Sequence, residues 1–433
     1  MKKLFLLLSI VSPLARAQVA FTNVDSVFAY AQRNSSSSKT STQQSLLAKW
    51  TYITSLANTV NFRNPVTFTP TNNLMLPVSF IPASAFGGPA GSLKQITLGQ
   101  QYVSNFNYNP QIDIINPANW ARVKSASLNK ELTETNNLLI KKTLFESIAA
   151  AYYNIVSLQE QEKTTKLTLA SADSLLLISQ NKFSLGLIRE QDVNNTAVNQ
   201  LNVKDKLVQV QASIEQQYNS LKILCDIPAN TKVTVSSSSD NISYNAELKA
   251  TSSLQLKNAI LQSEFARSEL RANRWSTLPV VSAIYYQGWQ QNSNSSFFDS
   301  KSAWIQSQYI GLKISVPIPP DANRLSQNYT SKINYRTALI NAEHAKLQNE
   351  LSNQSLNLDY EKAYSSYLTS KNIYELKERN YQKSLNQYKE GILSTDVMLN
   401  AFVDLLNSRL ALISAQASLE FAKTKININN LSQ

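Results

Sequence analysis

The chain of 433 residues holds 1 Cys, 1 His, 3 Met and 8 Gly. These scarcities exclude most common active sites before any motif is sought. A lone Cys225 forms no intrachain disulfide, and with His344 beside it the chain has no Cys/His zinc cluster and little scope for a His-dependent triad. Gly87, Gly88, Gly91, Gly99, Gly288 and Gly311 fall in two short stretches, with Gly186 and Gly391 the only others, so neither the dinucleotide nor the Walker phosphate-loop spacing can be written. No cofactor, metal site or enzyme activity is expected. After residue 17 no uninterrupted apolar run approaches the roughly 18–20 residues of a membrane helix. Any membrane crossing then falls to β-strands.

What is present begins with a leader. Lys2 and Lys3 precede an apolar run, and Ala15-Arg16-Ala17 supplies the small residues of a signal-peptidase site. Export is expected, with residues 1–17 removed. The net charge of +12 suggests nucleic acid at first sight, but Lys and Arg are dispersed singly and the pairs sit in helical pattern, so no nucleic-acid partner is expected. Hydrophobic residues make up 43% and charged residues only 16%, the remaining polarity coming from Ser, Asn, Gln and Thr.

The chain also repeats itself. Phe183-Ser184-Leu185-Gly186-Leu187-Ile188 is followed by Asp192-Val193 and Ala197, and Tyr388-Lys389-Glu390-Gly391-Ile392-Leu393 by Asp396-Val397 and Ala401, about 205 residues further on. Upstream of Gly186, from about residue 118, there is no Pro or Gly, and apolar residues recur at seven: Leu138, Phe145, Tyr152, then Leu169, Leu176 and Phe183. Upstream of Gly391, from about residue 323, the same breaker-free length carries Tyr360, Tyr367, Tyr374, Tyr381 and Tyr388. Each reads as one helix of about 65 residues, near 100 Å at 1.5 Å per residue. The period continues past each motif, so each half ends in a helical hairpin that supercoils with its neighbours. The tyrosine stripe is read as a packing seam in preference to a ligand-stacking ladder. Gly186 and Gly391 fit helix C-caps.

Two windows lack the helical period. Residues 61–119 are rich in Pro, Phe and Tyr and read as β-prone. Residues 280–289 form a strand candidate, and Ile310, Leu312, Ile314 and Val316 alternate with Gly311, Lys313 and Ser315, the period of a strand with one apolar face. A polar loop, 290–302, separates them. The expected organisation is a signal peptide (1–17), a first structural repeat (18–228) and a second (229–433), each running helix, β-hairpin, very long helix, return helix. Four strands are too few to close a barrel, and an open set leaves edges that lipid does not tolerate, so several copies must pool their strands.

On these residues the chain resembles the TolC family of outer-membrane efflux channels. The paired Gly to Asp-Val signatures, Leu278-Pro279 opening a strand, and the run from Gly311 to Ile318 closing its hairpin carry the resemblance. It implies an α+β, mostly α fold: a homotrimer whose twelve strands form one outer-membrane barrel, continued by an α-helical barrel of twelve helices across the periplasm. It further implies a passive exit duct for a tripartite efflux or type I secretion system, partnered by a periplasmic adaptor and an inner-membrane transporter. By the same resemblance Asp192 and Tyr388 form a latch between the two helical tips, and Asp396 contributes to an acidic ring at the aperture. Helix capping is the competing role for both aspartates, and the two roles are compatible. Leu399 and Leu393 stand where the family carries a second acidic residue and an arginine, which implies a less acidic aperture with one fewer closing bond. The competing reading is an exported coiled-coil structural or adhesive protein.

Overall fold

The computed structural model describes residues 18–236 and 253–431; the expected signal peptide, 1–17, lies outside them. In chain order the elements are β1 (Gln18–Phe21), α1 (Val24–Asn34), α2 (Ser36–Ala57), β2 (Val66–Asn72), β3 (Val78–Pro82), β4 (Leu93–Thr97), β5 (Tyr102–Tyr108), β6 (Gln111–Ile115), α3 (Pro117–Ser184), α4 (Glu190–Cys225), β7 (Lys232–Val235), α5 (Leu254–Trp275), β8 (Val280–Ser293), β9 (Trp304–Ser315), α6 (Ala322–Lys389) and α7 (Thr395–Leu431). The fold is mostly helical, and its two longest helices have 68 residues each. It divides into two compact units, one of residues 1–45, 133–259 and 343–433, the other of 46–132 and 260–342, each drawing on both halves of the sequence.

The second unit holds the sheet. β5 and β6 pair with successive stretches of β8, Tyr108 opposite Gln287 and Gln111 opposite Ile284, and so act as one strand broken at Asn109-Pro110, where proline supplies no N–H. β2 flanks β5 and β9 flanks β8, all antiparallel. The result is a four-position sheet with β2 and β9 at its edges. Alternation sorts the two faces. Phe68, Phe106, Trp289, Leu312 and Ile314 share one, and on β9 this face is bare, with Ile310 83% exposed and Leu312 69%. The other face is polar and carries Asn105, Asn107, Gln290 and Lys313, with Tyr286 stacked on Tyr309 at 4.9 Å. Gly288 fits here because a Cβ would stand 2.5 Å from the Tyr286 hydroxyl. The short β3–β4 hairpin lies between β2 and β5 in sequence and, among the described residues, pairs only with itself.

Two polar clusters pin this sheet. The buried Asp113 carboxylate accepts from Asn61 (2.6 Å), Ser282 (2.7 Å), Asn116 (3.0 Å) and Arg63 (3.2 Å). In the β8–β9 loop Asp299 accepts from the Lys301 backbone N–H (2.9 Å) and from the Ser293 and Ser295 hydroxyls (2.7 Å each). Those donors, the Lys301 N–H foremost, hold its carboxyl down at about 2.

The first unit is a layered helical body. β1 lies parallel to β7, joining the start of one half to the start of the other. Around them Phe21, Val27, Ile148, Ile155, Leu221, Cys225 and Ile428 form the largest core cluster. Burial pushes the Cys225 thiol up to about 12, so it serves as a small buried hydrophobe. His344 sits exposed on α6. Antiparallel pairing of α3 with α4 is marked by Gln200 to Asp173 (2.9 Å) and Gln211 to Glu162 (2.9 Å), and that of α6 with α7 by Lys425 to Asp359 (3.8 Å).

The tyrosine stripe of α6 is a seam. Tyr360 joins Leu419 and Ile426 of α7 in one cluster, and Tyr381 meets Phe402 at 5.9 Å. On α3 the seam toward the tip shifts from the expected one: Ala172, Leu175 and Ser179 are buried while Phe183 is 45% exposed. A straight helix of 3.6 residues per turn drifts about 20° per heptad, so a register read at mid-helix rotates away before the end. Among the described residues one helix, α7 over Thr395–Asn430, is apolar and long enough by composition to cross a membrane. Its seam residues Met398, Phe402, Leu419 and Ile426 pack against neighbouring helices instead.

Candidate gate at the helical tips

Both helical hairpins turn at a glycine with φ in the left-handed region, Gly186 at 72° and Gly391 at 78°. No atom lies within 4 Å of the Cβ that either lacks, so backbone conformation is what favours glycine there. After each turn a return helix opens with an aspartate in its first turn. The Asp192 carboxylate accepts the Arg189 backbone N–H at 3.0 Å and so closes the start of α4. Asp396 stands exposed in the first turn of α7, its carboxylate 3.4 Å from the Asn195 side-chain amide.

Tyr388 is 2% exposed, within a cluster of Leu175, Val203, Met398 and Phe402. Its hydroxyl lies 3.0 Å from Ser179 Oγ, which in turn lies 3.1 Å from Thr196 Oγ1. Lys182 Nζ donates to the Tyr388 carbonyl at 2.5 Å and stands 4.0 Å over the tyrosine ring. The two tips are therefore joined by hydroxyl, ammonium and amide contacts. Within the chain the Tyr388 hydroxyl is shared with Ser179 and not with the expected Asp192, whose carboxylate is engaged at its own helix end. Asp192 still reaches the cluster through its backbone, since its carbonyl accepts from Thr196 Oγ1 at 2.8 Å.

Sequence reading missed Ser179, Lys182, Asn195 and Thr196. One signal was available: Ser179 falls seven residues after Ala172 and four after Leu175, a hydroxyl on what is otherwise an apolar row. A buried polar group on such a row needs a partner.

Residues 92–225 match the outer membrane efflux protein family, a stretch that runs from the β-window through α3 and α4. The chain superimposes on VceC of Vibrio cholerae with a TM-score of 0.72 at 17% identity, covering 94% of this chain and 95% of that one. The fold is that of the outer-membrane efflux channels. The Campylobacter jejuni CmeC channel gives 0.71 at 15% identity, over 94% of this chain and 85% of CmeC. The open state of the Neisseria gonorrhoeae MtrE channel gives 0.68 at 14% identity, over 97% and 92%. No curated protein matches in sequence.

Proposed function

We propose that the chain is one protomer of a homotrimeric, passive exit duct in the outer membrane, extending into the periplasm and serving a tripartite efflux or type I secretion system. The single observation that carries this reading is the sheet with two unpaired edges and a bare apolar face. An unpaired strand edge in hydrocarbon leaves groups that each cost several kcal/mol, so β9 of one copy must meet β2 of the next. Three copies of four strands close a twelve-stranded barrel. The repeats 18–228 and 229–433 supply one hairpin and one long helix with its return helix apiece, and together the helices line a conduit. The sequence carries no phosphate-loop motif, so the driving force belongs to an inner-membrane transporter coupled through a periplasmic adaptor. Asp192, Tyr388 and Asp396 form the gate, and Gly186 and Gly391 the turns on which its helices end. Three Asp396 carboxylates around one constriction create a field that favours cations.

Size-exclusion chromatography with light scattering and planar-bilayer recording test this reading together. A detergent-extracted trimer with discrete conductance is expected. A monomer soluble in buffer, silent in every bilayer, would sink it.

A further inference from the structure

Where the chain passes between helices and sheet, α5 and α6 run antiparallel, with Asn273 Nδ2 donating to Ser331 Oγ at 2.5 Å. Arg267, Arg271 and Arg274 recur on α5 at spacings of four and three, Lys332 and Arg336 on α6 at a spacing of four, and all five line one cleft of about 530 Å3. Among the described residues no carboxylate lines it, and none of the five makes an ion pair. Like charges at these helical spacings repel. Five unneutralised cations facing one space are therefore a standing cost that a bound anion would offset.

The chemistry of the walls narrows that anion. Guanidinium forks match the oxygen geometry of phosphate, and three of the five cations on α5 plus Arg336 on α6 are arginines. Position narrows it further. Ile318, in the segment between β9 and α6, is 82% exposed and Leu278, between α5 and β8, is 41% exposed, so exposed apolar side chains continue past the ends of both strands. Trp275 lines the cleft and is 38% exposed, a side chain favoured at membrane–water boundaries. Basic pockets at that boundary suit anionic headgroups.

We infer that this α5–α6 cleft binds the phosphate of an anionic lipid headgroup in the leaflet bordering the helices, an inference that rests on the duct reading for the presence of that leaflet. Lipid binding would fix the height at which the barrel sits.

Native mass spectrometry of the detergent-purified full-length assembly, titrated with phosphatidylglycerol, phosphatidylcholine or sodium phosphate, tests it. Phosphatidylglycerol adducts should saturate at one per chain, with phosphatidylcholine at least tenfold weaker. Arg271→Gln with Arg336→Gln should weaken phosphatidylglycerol at least tenfold, while Lys204→Gln with Lys206→Gln on α4 should change nothing. Equal retention of the two lipids, or unchanged retention in the glutamine variant, would overturn the inference. Displacement of the lipid by an equal concentration of phosphate would overturn it too, by making the ligand a free anion. If the glutamine variant fails to assemble, the wild-type affinity must fall with added KCl, and a salt-independent affinity refutes the site. Bilayer conductance of the same sample separates the two ideas: a silent but lipid-binding protein fails as a duct, and a conducting protein indifferent to headgroup fails only here.

Discussion

Tyr388 is held at three points, and each predicts something different. Its hydroxyl bond to Ser179 joins two hydroxyls inside an apolar cluster, so Tyr388→Phe should cost about 0.5–1.5 kcal/mol of local stability. The expected channel readout is a raised single-channel conductance in planar bilayers, larger when combined with Lys182→Ala, which removes the ammonium from both the ring and the carbonyl. Unchanged conductance in that double variant discards the tip contacts as a latch. Asp192→Ala acts on a different bond, the one that closes the start of α4, and typical cap losses are about 0.5–2 kcal/mol. Asp396→Ala should weaken cation preference and block by multivalent cations; identical reversal potentials before and after the change would remove the acidic ring. In the β8–β9 loop, Asp299 has its carboxyl held below the ordinary value of 3.8, at about 2. A depressed carboxyl contributes to loop order above the ordinary value, and that contribution is lost as pH falls toward 2. Protease nicking of the loop should therefore rise as the pH is lowered below 4, and Asp299→Asn should be nicked equally at neutral and acid pH.

At the scale of elements, the long helices were the most legible part of the sequence. Spans expected from about 118 and 323 are realised as Pro117–Ser184 and Ala322–Lys389, because a helix without Pro or Gly has nothing to stop it and a heptad stripe to bury. The β8–β9 hairpin was legible through the alternation around Gly311, although β8 runs into the polar loop as far as Ser293 and β9 begins at Trp304, earlier than alternation alone suggested, since polar residues also sustain an antiparallel ladder. The β-window at 61–119 resolved only in three dimensions. Its Pro110 break and its β3–β4 insertion cannot be placed without knowing that β8 supplies a common partner. β1 and β7, of four residues each, carry too little pattern to be seen at all. The seam and the bare face of β9 yield opposite tests. Leu419→Ala, 1% exposed between α6 and α7, should cost about 2–5 kcal/mol in thermal or denaturant unfolding. Leu312→Arg, on the bare face of β9, should cost about 2–4 kcal/mol for refolding into bilayers at mid-depth, yet little for the protein kept in detergent. An equal penalty in both media would mean that this face does not meet lipid.

The molecule as a whole is not two halves placed side by side, because both of its compact units are assembled from both halves. The core around β1 shows why this matters. Phe21 from the first strand, Val233 and Val235 from β7, and Ile428 from the last helix share a single cluster. Phe21→Ala should lower the thermal midpoint by the equivalent of about 3–5 kcal/mol and loosen β7 with it, readable as faster amide exchange at Val233 and Val235. Exchange unchanged at those two amides would show that the two strands are independent. There is also a biosynthetic consequence. A polypeptide threaded through a translocon emerges amino end first, yet the strand that pairs with its first strand arrives only after more than 200 further residues, and the last member of their shared cluster with the final helix. The cluster around β1 is therefore complete only when the whole polypeptide has emerged, and its closure belongs among the last steps of maturation.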